Sequence, residues 1–494
     1  MRSRSRSDLV CRSTRPSRCS MLRVKRRHWW SRLRLILRMM KMTEVADTST
    51  DESKAPDDPN TWVTDGPPCE RRDPGPGRRA SNDVALGGLL KVRPEDFLVD
   101  ELPSYDPVGE GEHLYLGVQK RDMPHGEMIA VIARLFNIDE SAIGFAGMKD
   151  RVAITRQAVS VHLPGFKGDP PPLDHARMQV LWAKRHVNKL RRGHLKGNRF
   201  SIRVRDVDPL SVRHVYKRMQ AMEKTGVPAY FGDQRFGYRR NNQVCGLAIL
   251  ASQPQVLLDE MLGSRGAPFP ARQLPFRRLY EEGKFAESLV GWGRNDRAEK
   301  IALQALSKGR DAHRAVRALP EYIKSFWISA LQSAIFNANL DARVADGSYA
   351  QMIDGDIMFK HDSGACFRAS DASADEIAAR LISAEISPTG PLHGIGMLQP
   401  TGRALDIETL ALTTVGTTHE AFLAKCPIEF SGARRPLRVF FANWEVEGGV
   451  DEHGAFIRCA FDLPKGAFAT VLMRELLGAT VPSINGQHAD TESA

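Results

Sequence analysis

One aspartate in this sequence stands directly between two cations. Asp150 follows Lys149 and precedes Arg151 in the stretch Gly-Phe-Ala-Gly-Met-Lys-Asp-Arg at residues 144–151. An opposite charge within about 4–6 Å lowers the pKa of an aspartate, so this pattern predicts a carboxylate that stays ionised. That state suits a nucleophile or an electrostatic stabiliser rather than a general acid. The competing interpretation is a charged surface turn, the usual outcome for an isolated Lys-Asp-Arg triplet.

A second segment, residues 184–205, contains nine Lys or Arg and two His but no acid. Such a patch is typical of proteins that bind nucleic acid, because neutralising phosphates releases counterions. Alternating residue types predict a strand with Asn198 and Phe200 on one face, where they could hold a base. The arginines on its other face, which could hold the nucleic-acid backbone, are Arg199, Arg203 and Arg205. The structural alternative is a solvated basic loop with Phe200 in the core.

A third segment, residues 226–237, combines three aromatic side chains, three glycines and Arg235. This composition fits a platform on which nucleic-acid bases stack. It fits equally well a tight, aromatic-filled turn at a domain junction. The sequence leaves both interpretations open.

Composition excludes several classes of protein. The chain has 494 residues, with 70 Lys or Arg and 59 Asp or Glu, but 14 of the bases and one acid fall in residues 1–41. The remainder is close to neutral, so any basic surface there is local. The seven cysteines form no CxxC pair, and no HExxH, GxSxG or P-loop motif occurs, which argues against zinc and hydrolase sites and favours a reducing compartment. The sequence contains no run of 18 apolar residues, so it predicts no membrane-spanning helix.

Residues 1–80 lack apolar periodicity and are predicted to form a disordered tail or linker. Within them, residues 1–41 are an over-long translated start, an organelle-targeting segment or a disordered nucleic-acid-binding arm. The sequence alone leaves these three open, and the first is favoured because the apolar patch there makes no regular helical stripe.

Apolar alternation predicts strands at residues 159–163, 200–204 and 457–463. Helical spacing predicts a helix over residues 325–343, and a last helix ending at about Leu477 before Gly478. Strands at both ends of a helix-rich middle indicate a domain inserted into a sheet-based one.

Taken in order along the chain, these segments resemble the TruD family of tRNA pseudouridine synthases. The resemblance covers about residues 86–478, and the family's nucleophile motif is similar to residues 147–157. Its next two motifs resemble residues 186–200 and 226–237. Further similar segments are residues 90–97, 330–337, 387–391 and 463–476.

The resemblance implies an α+β fold. A pseudouridine-synthase catalytic domain with a mixed, mainly antiparallel sheet would be interrupted by a helix-rich TRUD insertion domain. The expected boundaries are residues 81–237 for the first part of the catalytic domain, 238–434 for the insertion, 435–482 for the second part, and 483–494 for a disordered C-terminus.

The resemblance also implies an activity, the conversion of uridine to pseudouridine in tRNA at uridine 13 of the D arm. The base must leave its stack before a side chain reaches it. Neither a metal nor a cofactor is implied. We expect a cytoplasmic monomer whose partner is tRNA and which does not bind a membrane.

Residue roles follow from the same resemblance. Asp150 would be the catalytic aspartate, Lys91 would help to keep it ionised, and Asn198 would orient the aspartate or the uracil. Phe200 and Phe468 would enclose the flipped base. Further residues expected to bind substrate are Lys149, Arg151, Lys189, Arg191 and Arg235.

Two other functions stay open at this point. A non-catalytic RNA-binding or RNA-folding protein could keep the same scaffold, and an N-glycosidase could use a carboxylate near C1′ to release free uracil. The chain departs from the family pattern at Ala229, where asparagine is usual, and this puts one local contact in doubt.

Overall fold

The computed structural model describes residues 62–65, 73–81, 83–166, 168–293, 296–423 and 430–478, all within one compact unit, residues 55–494. The predictions made for residues 1–41 and for the C-terminus at 483–494 lie outside the described residues.

In the described chain, the strands of nine or more residues lie within residues 113–205 and 442–464. The strands are β1 Trp62–Val63, β2 Phe97–Pro103, β3 His113–Arg121, β4 Ile143–Phe145, β5 Ile154–His162, β6 Met178–His186, β7 Leu195–Arg205, β8 Val227–Pro228, β9 Phe269–Pro270, β10 Ile357–Lys360, β11 Cys366–Arg368, β12 Ile386–Leu392, β13 Ala433–Pro436, β14 Arg438–Val439, β15 Ala442–Asp451 and β16 Gly454–Pro464.

Eight of these strands form one sheet from two distant parts of the chain. The sheet follows the order β15-β16-β7-β2-β5-β3-β6, and β4 pairs with β5 beside that path. The pair β2–β5 is parallel, whereas the other pairs of this sheet are antiparallel. The predicted mixed, mainly antiparallel sheet is therefore confirmed.

Helices dominate the middle of the chain, as predicted. Within the described ranges, no helix has the length and apolar content needed to span a bilayer. The α-helices are α1 His125–Phe136, α2 Val212–Thr225, α3 Asn242–Leu250, α4 Pro254–Leu262, α5 Leu274–Glu281, α6 Phe285–Val290, α7 Arg297–Ser307, α8 Ala312–Arg317, α9 Glu321–Ala345, α10 Ala374–Ile382, α11 Gly402–Val415, α12 His419–Leu423 and α13 Ala469–Leu477.

The apolar alternation and the helix-ending glycine correctly located several elements. Val159 in β5 and Ile202 in β7 are fully buried on the core side of the sheet. The helix expected over residues 325–343 is α9. Helix α13 ends at Leu477, where Gly478 adopts a left-handed φ of 83°, a conformation that glycine reaches without steric cost.

One face of the sheet packs its aromatic side chains beneath helices α2 and α13. Phe200 in β7 lies 6.1 Å from Phe97 in β2 and 5.7 Å from Phe461 in β16, measured between ring centres. These rings fix β7 between its two neighbours. Asn198, two residues before Phe200, is held on the same face of the strand.

On the other face of β7, two of the arginines that were expected to hold a nucleic-acid backbone pair instead with carboxylates of the protein. Arg199 contacts Asp462, its cross-strand partner in β16, at 3.0 Å. Arg205 lies between Asp96 and Asp451, 2.6 Å from an oxygen of each. These arginines pair within the sheet because neighbouring segments bring carboxylates opposite them, which the sequence of β7 alone cannot indicate.

Replacing Arg205 by Met is expected to destabilise the fold strongly. Asp96 is fully buried, and removing one partner of a buried ion pair typically costs about 3–5 kcal/mol. The matched control is Arg203→Met, because Arg203 is 39% exposed and 3.9 Å from Asp451; it should cost less than about 1 kcal/mol. Denaturant unfolding measures both losses, and equal losses would contradict the assignment.

Two described stretches within residues 1–80 contact the rest of the fold. Trp62–Val63 pairs antiparallel with Phe269–Pro270, and the amide of Asn337 donates to the carbonyl of Pro74 over 2.9 Å. Such backbone contacts need no apolar periodicity, so the sequence pattern does not indicate them. The predicted domain boundaries stay predictions.

Candidate active site

Asp150 lies in the loop that joins β4 to β5, with 27% of its side chain exposed. The ammonium nitrogen of Lys91 is 2.8 Å from Asp150 Oδ1. The same oxygen accepts a hydrogen bond from Gln234 Nε2 over 3.3 Å. Gln234 belongs to the 3-10 turn Asp233–Phe236, so two segments remote in sequence meet at this carboxylate.

These contacts favour the ionised form of the aspartate. Partial burial alone would raise the pKa of the Asp150 carboxyl, but the charge and hydrogen bond of Lys91 lower it. The hydrogen bond from Gln234 and the charge of Lys120 lower it further, and the pKa lies below its ordinary value. These largest contributions do not come from Lys149 or Arg151, the cations that flank Asp150 in sequence.

Lys91 reaches Asp150 from an uncommon backbone conformation. Its φ of 53° is left-handed, which costs a residue with a side chain of the order of 1–3 kcal/mol and persists only where the surroundings impose it. The Lys91 ammonium also lies 4.4 Å from the centre of the Phe97 ring, a cation–π contact. The position of the ammonium is therefore set by both the backbone and the core.

A fully buried lysine fastens the loop that carries Asp150. Lys120 Nζ donates to the carbonyl oxygens of Asp150 and Met123 over 2.7 and 2.6 Å. A buried ammonium needs such acceptors, because an unsolvated charge is costly. Lys120 thus joins strand β3 to the backbone of the site.

Lys149, which is buried, and Asn198, which is half-buried, form a second unit beside Asp150. Lys149 Nζ donates to Asn198 Oδ1 over 2.6 Å and lies 2.7 Å from Glu101 Oε2. Only 4% of the Lys149 side chain is exposed, so here it supports Asn198 rather than facing solvent. With Oδ1 held in this way, the amide nitrogen of Asn198 is the group available to a ligand.

The two predicted pocket aromatics occupy different environments. Phe200 is buried in the core, where it packs on Phe97, the ring under Lys91. Phe468 is half-buried at the start of α13 and lies 6.0 Å from Phe231, between ring centres. It also borders Gly232, two residues before Gln234. Phe468 is thus the more accessible of the two.

The remaining predicted substrate-binding residues are the cations Arg151, Lys189, Arg191 and Arg235. Arg151 is 42% exposed and 3.8 Å from Asp122, while Arg191 is exposed. Lys189 donates to the carbonyl of Ser141. Arg235 is half-buried, 5.4 Å from the centre of the Phe231 ring.

Gly144 is required where the backbone approaches closely. A Cβ atom there would lie 2.3 Å from the carbonyl oxygen of Leu190, closer than any van der Waals contact. The loop carrying Asp150 is thereby packed against the basic segment 184–205.

Sequence reasoning missed three residues of the site. Lys120 and Glu101 are single charged residues within strands, and nothing in their surroundings marks them. Gln234 stands beside the predicted Arg235, so its segment was identified but its role was not. Within the described part of the chain, no cluster of three His, Cys, Asp or Glu could hold a metal.

The arrangement can present one ionised carboxylate, an amide and an aromatic ring to a ligand. A family model described as tRNA pseudouridine synthase D (TruD) matches residues 79–476. The tRNA pseudouridine synthase D of Geotalea daltonii is 38% identical over 398 residues, which cover 80% of this chain and 98% of that protein. The same-named protein of Thermus thermophilus is 34% identical over 393 residues, covering 79% and 89%.

A solved structure has the same fold. The crystal structure described as a tRNA pseudouridine synthase D from Methanosarcina mazei superimposes with a TM-score of 0.67 and 24% identity. The superposition covers 83% of this chain and 99% of that one. At this identity the likeness speaks for the fold alone.

Proposed function

The chain belongs to the TruD family of tRNA pseudouridine synthases, and on that basis we propose that it isomerises uridine 13 in the D arm, with Asp150 as its catalytic residue. It is an isomerase of tRNA uridine. The observation that carries the role of Asp150 is the contact of its carboxylate with Lys91 and Gln234, over 2.8 and 3.3 Å.

The reaction detaches uracil from C1′ of the ribose and rejoins it through C5, so no atom is gained or lost. Asp150 attacks the sugar, attacks the base, or removes a proton from the sugar. Each of these steps requires the carboxylate to be ionised. The lowered pKa of Asp150 supports this requirement.

The neighbouring residues supply orientation. Lys149 holds Asn198 Oδ1, which leaves the amide N–H groups of Asn198 to donate to a uracil oxygen. Phe468 is half-buried near Gln234 and offers a ring on which the unstacked base packs, offsetting part of the cost of flipping. Phe200 contributes from beneath, through Phe97.

The exposed cations hold the tRNA backbone. Arg151 follows Asp150 directly, and Lys189 and Arg191 belong to the basic segment 184–205 that packs against the Asp150 loop. Each phosphate that they neutralise adds to salt-dependent affinity. The enzyme acts as a cytoplasmic monomer and uses neither a metal nor a cofactor.

Nucleoside analysis of unmodified tRNA incubated with the purified chain tests this function. We expect close to one pseudouridine per molecule in a transcript with uridine 13, and none in a matched transcript with cytidine there. Equal amounts of pseudouridine in both transcripts would contradict uridine 13 as the modified nucleotide. Free uracil without pseudouridine would favour the N-glycosidase, and binding without either product would favour the non-catalytic RNA-binding protein.

A further inference from the structure

Two arginines meet at one phenylalanine ring beside the proposed active site. The guanidinium carbons of Arg235 and Arg435 lie 5.4 and 4.3 Å from the centre of the Phe231 ring. Their separation cannot exceed the sum of these distances. Arg235 directly follows Gln234, which donates to Asp150, so the pair is close to the proposed catalytic carboxylate.

Much of the hydrogen-bonding capacity of this pair is unused. Arg435 Nη2 donates to the carbonyl oxygens of Ala229 and Gly466, over 3.1 and 3.0 Å. Arg435 Nε is buried without an acceptor. Across the described residues, no carboxylate forms an ion pair with Arg235 or Arg435 within 4.0 Å.

Other buried arginines of this fold have acceptors for their guanidinium groups. Arg277 donates to carbonyl, amide and hydroxyl oxygens, and two further arginines have carboxylate partners. Arg434, the immediate neighbour, pairs with Glu408, and Arg343 pairs with Asp356. Burial, together with the nearby charge of Arg235, lowers the pKa of Arg435 to about 10. Two like charges held together in a partly desolvated place are unfavourable unless an anion lies between them.

We propose that Arg235 and Arg435 together bind one phosphate of the RNA backbone next to the target nucleotide. This inference rests on the proposed function. A guanidinium donates two parallel N–H groups, which match the oxygens of a phosphodiester. Stacking on Phe231 holds the two guanidinium groups in place before RNA arrives.

The position of Arg235 and Arg435 indicates which phosphate they bind, namely one next to the base that packs on Phe468. Arg435 is hydrogen-bonded to Gly466, in the turn that leads into Phe468. Arg435 and Phe468 line one small concave space whose remaining walls are mostly apolar. A base on Phe468 therefore has its own phosphate, or the adjacent one, within reach of the two arginines.

The test combines neutral RNA phosphates with protein variants. Each synthetic tRNA carries a single methylphosphonate, placed at one of the phosphates that flank the target uridine. The value of kcat/KM is measured on each tRNA for the wild type, Arg435→Gln and Arg235→Gln. At one position the methylphosphonate should lower kcat/KM of the wild type by about tenfold or more. In either variant the same replacement should change kcat/KM less than about twofold, because the contact is already lost.

Controls keep the outcome interpretable. Arg310→Gln removes an exposed arginine from the turn between α7 and α8 and should respond to the methylphosphonates as the wild type does. Should Arg435→Gln fail to fold in a thermal melt, Arg235→Gln carries the test, since Arg235 makes no side-chain hydrogen bond within the described structure.

Two results would overturn the proposal. One is an equal methylphosphonate effect in wild type and variants at every position. The other is competition by inorganic phosphate without any methylphosphonate coupling, which would assign the arginines to a free anion. A wild type that makes no pseudouridine overturns the proposed function instead. In that case the same combinations of protein variant and methylphosphonate are compared by their Kd for tRNA, which still decides the phosphate contact.

Discussion

Asp150→Asn is expected to lower the rate of pseudouridine formation by at least about 10³-fold, a loss typical of removing a reacting side chain. The amide has nearly the shape of the carboxylate but carries no charge, so it neither attacks carbon nor accepts a proton. The Kd for tRNA should change less than about threefold, because phosphate contacts by other residues supply most of the affinity. Single-turnover assays and filter binding measure the two quantities.

The matched control is Asp174→Asn, which removes one carboxylate from an exposed position and should leave the rate unchanged. A thermal melt verifies that the Asp150 variant is folded. A variant that is folded, binds tRNA and retains a rate within tenfold of the wild type would contradict the role of Asp150 and favour the RNA-binding alternative.

Lys91→Gln should lower kcat/KM by about 10- to 100-fold, the rate equivalent of a charged hydrogen bond worth about 1.5–3 kcal/mol. The pH dependence should change as well. In the wild type the Asp150 pKa lies below its ordinary value, so activity that needs the carboxylate persists into mildly acidic solution. Without Lys91 this pKa rises, and the acid limb of the kcat/KM profile moves to higher pH.

Lys217→Gln, on the exposed face of helix α2, serves as the control for the loss of one positive charge and should keep the wild-type profile. A lowered rate with an unmoved acid limb would show that Lys91 does not act through the ionisation of Asp150. Part of its contribution would then be its contact with the Phe97 ring.

Periodic features of the fold could be predicted from sequence. Strand β7 and helix α9 have their apolar residues at spacings that only one kind of element satisfies, and Gly478 marks the end of α13. These signals are local, since each needs only the pleat of a strand or the turn of a helix.

The contacts of the site could not be predicted in the same way, because they join segments far apart in the chain. The Lys-Asp-Arg triplet correctly suggested an ionised carboxylate, but the cations that lower its pKa are Lys91 and Lys120. Arg205 finds Asp96, 109 residues away. Alternation tells which face of a strand a side chain occupies but not which strand lies next to it.

A determined structure of the Asp150→Asn variant bound to unmodified tRNA would decide whether this side chain meets the reacting nucleotide. We expect nucleotide 13 to be out of its stack, with its ribose in contact with residue 150 and its base against Phe468. A uridine still stacked within the D arm, with residue 150 turned away from the RNA, would refute the assignment.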